Sequence, residues 1–108
     1  MLWEHTATEI TALIARGEVS CREVAEAHIS RMEALDPQLK AFVTQTPEVA
    51  LEQARRWDDA RARGEELPPL AGVPIALKDN FCTRAIRTTC SSRILADWKP
   101  PYDGTVTS

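Results

Sequence analysis

The sequence has no long apolar run and no concentration of basic residues. No apolar stretch in the 108 residues approaches the ~20 residues that a membrane-spanning helix needs. The first ten residues lack the basic start and apolar centre of a secretion signal, so we expect a cytoplasmic protein. The net charge is -3 and the basic residues form no stripe, which argues against direct binding of nucleic acid by this segment.

Cysteine is scarce and follows no ligand pattern. Cys21, Cys82 and Cys90 form no CxxC pair and no Cys/His spacing, which argues against a disulfide framework and against a zinc site. We therefore expect reduced, mostly buried thiols, no metal and no cofactor in this chain. Internal repeats and low-complexity tracts are also absent, so the composition is that of one small globular domain at most.

Three segments carry the signals of a helix start. Two have Ser or Thr followed three residues later by Glu, and one has Thr followed by Pro. Apolar residues then recur at helical spacing. The predicted helices span residues 6–16, 20–35 and 47–63. The second should end before Asp36 and Pro37, because a proline disfavours helical backbone at the residue before it.

Two short apolar segments predict strands, over about residues 39–45 and 73–78. Beyond Asn80 the pattern weakens, and we expect mostly loop with at most one short helix. Helices before and between apolar strands are typical of an α/β fold, but two strands make a poor sheet. The chain is therefore expected to be the opening section of a larger domain.

The second predicted strand, within "GVPIALKDN", ends on a lysine. Side chains alternate along a strand, so Lys78 shares a face with the small Ala76, whereas Asp79 points the opposite way. Desolvation at the end of a buried strand favours the neutral amine, which can act as a base. The alternative is that Lys78 is a solvated charge where the strand reaches water, and the local pattern alone favours that alternative.

Two separated blocks carry a resemblance to a known family. The block "LAGVPIALKDNFCTRAIRTTCSSRIL" and the later "PPYDGTV" resemble the amino-terminal part of the amidase signature family. Residues 11–48 are similar to that family's opening helices and first strand. The resemblance implies an α/β fold in which residues 1–108 form the amino-terminal segment of a single amidase domain, a mixed β-sheet covered by helices.

The resemblance implies a triad of serine, cis-serine and lysine, in which Lys78 is the lysine. The lysine would relay a proton through the bridging serine, so that the second serine attacks a carboxamide and ammonia is released. Backbone amides near the nucleophile would hold the oxyanion. The family's serines lie in a segment rich in glycine and serine that this sequence lacks. Ser91 and Ser92 match a different stretch, so we expect a truncated chain that is inactive alone.

Within the family, "TTC" together with "PYDGTV" favours the tRNA-dependent amidotransferases. The resemblance implies that their amidase component releases ammonia from glutamine for partner subunits B and C. The partners would use ATP and Mg to convert Glu-tRNA(Gln) into Gln-tRNA(Gln). The alternatives are another amidase of the same family, a remnant without function, and a non-catalytic binding module. A helix-turn-helix reader of DNA is disfavoured because its second helix would be acidic.

Other residues have structural interpretations. His28 lies on the apolar face of the second helix without another ligand at metal spacing, so we expect a core or subunit contact. Asp79 and Asn80 are expected to orient backbone at the strand end through local hydrogen bonds. Ala85 and Ser91 stand where the family usually has glycine, and Ala85 would be strained if its backbone needs a positive φ.

Overall fold

The computed structural model describes residues 1–108, which form two compact units, Met1–Pro74 and Ile75–Ser108. A 3-10 turn opens the first unit at Leu2–Glu4. Three α-helices follow it in the same unit: α1 (Ala7–Ala15), α2 (Cys21–Leu39) and α3 (Pro47–Ala62). No helix is long and apolar enough to cross a membrane.

Both predicted capping boxes are confirmed. The Thr6 hydroxyl accepts a hydrogen bond from the Glu9 amide at 3.2 Å, and the Glu9 carboxylate accepts one from the Thr6 amide at 2.7 Å. Ser20 and Glu23 exchange the same pair of bonds at 3.0 and 2.7 Å. Each pair satisfies amide groups that have no partner inside their own helix, which is why α1 and α2 begin where they do.

The prediction that the second helix ends before Asp36 is wrong, because α2 continues to Leu39 with Pro37 inside it. Pro37 lies in the last turn, where its missing N–H removes a single helical bond. The Asp36 carboxylate then accepts hydrogen bonds from the amides of Ala41 and Phe42 at 2.7 and 3.2 Å. These bonds, with Lys40 in a left-handed conformation at φ 51°, end the helix after the proline.

The predicted sheet is not confirmed. No strand forms over residues 39–45 or 73–78, and the only β-pairing is an isolated bridge between Thr83 and Ile86. A strand is defined by ladder hydrogen bonds to a neighbouring strand, and neither segment has such a neighbour among the described residues. The Val73 amide bonds locally instead, to the Leu70 carbonyl at 3.1 Å.

The core of the first unit lies where the three helices meet. Its buried members are Ile10, Ile14, Cys21, Val24, Ala25 and Ala54. Leu51 and Trp57 of α3 cover the cluster and remain partly exposed. Gly72 also approaches it, since a Cβ built there would lie 2.6 Å from the Cys21 sulfur. The segment after α3 therefore packs directly on the start of α2.

Asp58 of α3 caps α2 from a neighbouring helix. Its carboxylate accepts hydrogen bonds from the amides of Cys21 and Arg22 at 2.8 and 3.0 Å. These amides lie in the first turn and have no intrahelical acceptor. Burial raises the pKa of the Cys21 thiol to about 11, and the negative charge of Asp58 acts in the same direction. Cys21 therefore stays protonated at neutral pH.

We expect Asp58→Ala to lower the free energy of unfolding by about 1 to 2 kcal/mol, because two amides at the start of α2 lose their acceptor. Urea unfolding followed by circular dichroism measures the loss. Asp59→Ala is the matched control, since the Asp59 side chain makes only an exposed ion pair with Arg55 at 3.0 Å. Its expected cost is about 0.5 kcal/mol or less. Equal losses in the two variants would contradict the capping role.

The second unit contains turns and no helix. Three backbone hydrogen bonds join its early residues to its late ones: Cys82 to Gly104 at 2.8 Å, Ala85 to Pro100 at 2.9 Å and Thr88 to Trp98 at 3.1 Å. Pro100 and Thr88, which take part in two of these bonds, are buried. The bonds hold the stretch around Thr88 in place without a regular element.

Candidate active site

Lys78 lies in the second unit, at the start of a turn that the Phe81 amide closes by donating to the Lys78 carbonyl at 3.1 Å. Its side chain is exposed. The apolar residues before it are exposed as well, Ile75 at 72% and Leu77 at 45%. The described residues therefore do not supply the desolvation that a neutral amine needs.

Asp79 bonds to a loop ten residues further along the chain. Its carboxylate accepts hydrogen bonds from the Thr89 amide at 2.8 Å and from the Thr89 hydroxyl. The Asp79 carbonyl accepts one from the Cys90 amide at 2.9 Å. Asp79 was predicted to orient backbone at the strand end. The backbone that it orients is instead the loop at Thr89 and Cys90, for which the sequence offers no signal.

The charge of Asp79 depends on these bonds. Burial raises the pKa of its carboxyl, but the hydrogen bonds from the Thr89 hydroxyl and amide outweigh it, together with the nearby Ser91 amide, and the pKa lies below its usual value. A carboxyl with a lowered pKa stabilises the folded state above its unfolded pKa of about 3.9. That stability is lost as the pH falls through the folded-state pKa, so the network is intact at neutral pH.

The two serines near this loop do not form a catalytic pair with the lysine. The Ser92 hydroxyl accepts a hydrogen bond from the Ile94 amide at 3.3 Å, and neither Ser91 nor Ser92 bonds to Lys78. Ser91 has a left-handed backbone with φ 60°, as does Cys90 before it with φ 51°. The geometry therefore gives no support to either serine as a nucleophile.

A profile of the amidase family matches residues 23–108. This match covers well over half of the chain and includes the turn at Lys78 and the loop that Asp79 holds. The chain belongs to the amidase family.

Similar amidase-family proteins include the A subunit of the glutamyl-tRNA(Gln) amidotransferase of Moorella thermoacetica. It is 59% identical over 105 residues, which cover 97% of this chain and 22% of that protein. The corresponding protein of Streptomyces coelicolor is 56% identical over 102 residues, 94% of this chain and 20% of that protein. The chain thus spans about a fifth of the length of these relatives.

Two solved structures are also similar, each with a TM-score of 0.87 and 37% sequence identity. Each similarity covers 92% of this chain and 22% of the solved chain. They are described as a vestigial protein complex that reveals the evolutionary origins of an s-triazine catabolic enzyme, and one has an inhibitor bound. The described residues therefore resemble a segment of a longer chain in each of these structures.

His28 of the amidase segment lies beside an apolar groove of the first unit. Its ring Nδ1 is 2.8 Å from the Val24 carbonyl oxygen, one helical turn earlier. The groove has a volume of about 190 Å³, and its lining includes Trp3, Met32 and Phe42. No group of three or more His, Cys, Asp and Glu side chains comes together as a metal site. His28 is half-buried and bonds within its own helix.

The three thiols of the chain are all free, and they differ in exposure. Cys21 is buried, whereas Cys82 is half-buried and lies 3.8 Å from the Tyr102 hydroxyl. Cys90 is exposed, which departs from the expectation of mostly buried thiols. It lies in the loop beside Thr89, and its own amide donates to the Asp79 carbonyl at 2.9 Å.

Ala85 stands where the family usually has glycine, and its backbone has a positive φ of 61°. The backbone at Ala85 is therefore strained. We expect Ala85→Gly to stabilise the second unit by about 0.5 to 1 kcal/mol, because relief of the left-handed strain exceeds the added entropy of the unfolded chain. Thermal unfolding measures the gain. Ala96→Gly is the control, since Ala96 has no positive φ and its replacement should destabilise. A loss of stability at both positions would contradict the strain.

Proposed function

We propose that this chain is part of the A subunit of a glutamyl-tRNA(Gln) amidotransferase, where it carries the lysine of the glutamine amidase. The observation that carries the proposal is the 59% identity to the Moorella thermoacetica protein over 97% of this chain. Membership of the amidase family supports it, since the match to residues 23–108 includes Lys78. The exposed amine of Lys78 leaves that side chain accessible to groups outside the described residues.

The proposed chemistry is amide hydrolysis through a covalent intermediate. The neutral amine of Lys78 accepts a proton relayed by a bridging serine, and a second serine forms a bond to the carboxamide carbon of glutamine. The carbon–nitrogen bond breaks as the nitrogen takes up a proton, and ammonia leaves. Water then releases glutamate from the acyl-enzyme. Both serines belong to parts of the family fold beyond this segment, so the 108 residues alone should release no ammonia.

The ammonia would be used by partner subunits. In this proposal subunits B and C complete a heterotrimer in the cytoplasm, with ATP and Mg bound at a partner and none bound by this chain. The assembly would convert Glu-tRNA(Gln) into Gln-tRNA(Gln). The net charge of -3 supports contact with tRNA through the partners rather than through this segment.

A different amidase-family enzyme is the second candidate. The observation that favours it is the TM-score of 0.87 to structures described in connection with an s-triazine catabolic enzyme. Sequence identity favours the first candidate, because it is 37% to those structures and 59% to a protein of the tRNA-dependent amidotransferase. The amidotransferase function is therefore the better supported one.

The deciding experiment is ammonia release from glutamine by the native protein, purified from its source together with any bound subunits. Intact-mass measurement of the same preparation gives the native chain length. We expect a longer product that copurifies with two further subunits and releases ammonia from glutamine. Hydrolysis of other amides in preference to glutamine would favour the second candidate, and the absence of any amide hydrolysis would overturn the proposal.

A further inference from the structure

Three consecutive backbone amides take part in the hydrogen bonds around Asp79. The Thr89 amide donates to its carboxylate at 2.8 Å, and the Cys90 amide donates to its carbonyl at 2.9 Å. The Ser91 amide donates at 3.2 Å to the Thr89 hydroxyl, which itself donates to the carboxylate. Of these amides only that of Thr89 bonds to the carboxylate itself. The amide of Cys90 bonds to the main chain of Asp79, so the loop is joined to both the side chain and the backbone of this residue.

The loop that binds Asp79 has an unusual backbone. Cys90 and Ser91 both have positive φ, at 51° and 60°, although neither is a glycine. Side chains other than glycine rarely adopt this conformation unless surrounding contacts hold them there. The hydrogen bonds to Asp79 and Thr89 are such contacts, and Thr89 is buried with 6% of its surface exposed. The loop and the carboxylate therefore hold each other in place.

Asp79 follows Lys78 directly, so their Cα atoms are about 3.8 Å apart. Three bonds on Asp79 and the bond from the Phe81 amide to the Lys78 carbonyl leave the main chain at Lys78 little freedom to turn. We propose that Asp79 is a positioning residue for Lys78: its carboxylate, bound by the loop at residues 89–91, sets the direction in which the lysine amine projects. This inference rests on the proposed amidase function.

The test compares Asp79→Asn with Asp97→Asn in the native complex, using ammonia release from glutamine. Asparagine keeps one acceptor and turns an NH2 group towards a Thr89 donor. Because misplacing a reacting group by about 1 Å costs about 100-fold in rate, we expect kcat of Asp79→Asn to fall by about that factor with KM within about threefold. Asp97 is exposed and outside the network, so its variant should match the wild type.

Thr89 provides a second pair of variants that does not depend on the folding of Asp79→Asn. Thr89→Val removes the hydroxyl and keeps the shape, whereas Thr89→Ser keeps the hydroxyl. We expect kcat to fall about tenfold in Thr89→Val and to recover in Thr89→Ser, measured well below the unfolding temperature of each protein. Amide exchange at residues 89–91 should be faster in Thr89→Val than in Thr89→Ser.

The outcomes separate this inference from the proposed function. An active wild type with unchanged kcat in Asp79→Asn and Thr89→Val would overturn the positioning role alone. A lower kcat in Thr89→Ser equal to that in Thr89→Val would also overturn it, since the hydroxyl would then be irrelevant. A wild-type complex without ammonia release would overturn the proposed function, and the positioning role with it.

Discussion

Lys78→Ala should abolish ammonia release from glutamine, with kcat lower by about 10³-fold or more. The expected effect is large because, in the proposed triad, the lysine is the final proton acceptor and the serine attacks poorly without it. Removing one member of a catalytic unit costs most of what the unit contributes. The measurement is steady-state ammonia production by the native complex, with the folded fraction checked by circular dichroism.

Two further variants sharpen this prediction. Lys99→Ala removes an exposed lysine from the same unit and should leave kcat unchanged. Lys78→Arg retains a positive charge, but a guanidinium stays protonated and cannot accept a proton, so this variant should be as inactive as the alanine. Full activity in Lys78→Arg would show that charge alone suffices and would contradict the role of Lys78 as a base.

Gly72→Ala should lower the free energy of unfolding by about 3 kcal/mol. Gly72 has φ +83°, where an L side chain is strained by about 1 to 2 kcal/mol. A Cβ there would also lie 2.6 Å from the Cys21 sulfur and 2.8 Å from Cδ1 of Ile14, both in the core. Overpacking of this kind costs about 1 to 3 kcal/mol. Urea unfolding of the native protein measures the sum.

Gly64→Ala separates the two contributions. Gly64 has nearly the same backbone, with φ +80°, but no atom lies within 4 Å of a Cβ built on it. Its replacement should cost about 1 kcal/mol, the backbone part alone. If Gly72→Ala lowered the free energy of unfolding no more than Gly64→Ala does, the core at Cys21 would accommodate the added methyl group without cost. That result would contradict the close packing of Gly72 against the core.

Predictions from residues three or four apart succeeded where the interaction is local. The capping boxes at Thr6 and Ser20 are confirmed because both of their bonds lie within one turn of the chain. The predicted end of the second helix failed at Pro37, since the carboxylate of Asp36 accepts amides five and six residues later. A proline in the last turn is tolerated when such an acceptor closes the helix. The rule for the residue before a proline does not take this acceptor into account.

The predicted strands show a different limit. An apolar segment has the residues that a strand favours, but it becomes a strand only when a partner segment forms ladder hydrogen bonds with it. Residues 39–45 and 73–78 have no such partner among the described residues, so their apolar character is left as exposed side chains such as Ile75 at 72%. Sheet formation is a property of a pair of segments.

The sequence alone determined the starts of the three helices, because their signals lie in neighbouring residues. It also determined Lys78 as the candidate catalyst, through the family resemblance. The long-range hydrogen bonds could not be predicted in this way, since Asp58 bonds to Cys21 across 37 residues and Asp79 to Thr89 across ten. Each joins a carboxylate to free amides that only the folded backbone brings within 3 Å. A hydrogen bond depends on distance in space, whereas a pattern in the sequence records neighbours along the chain.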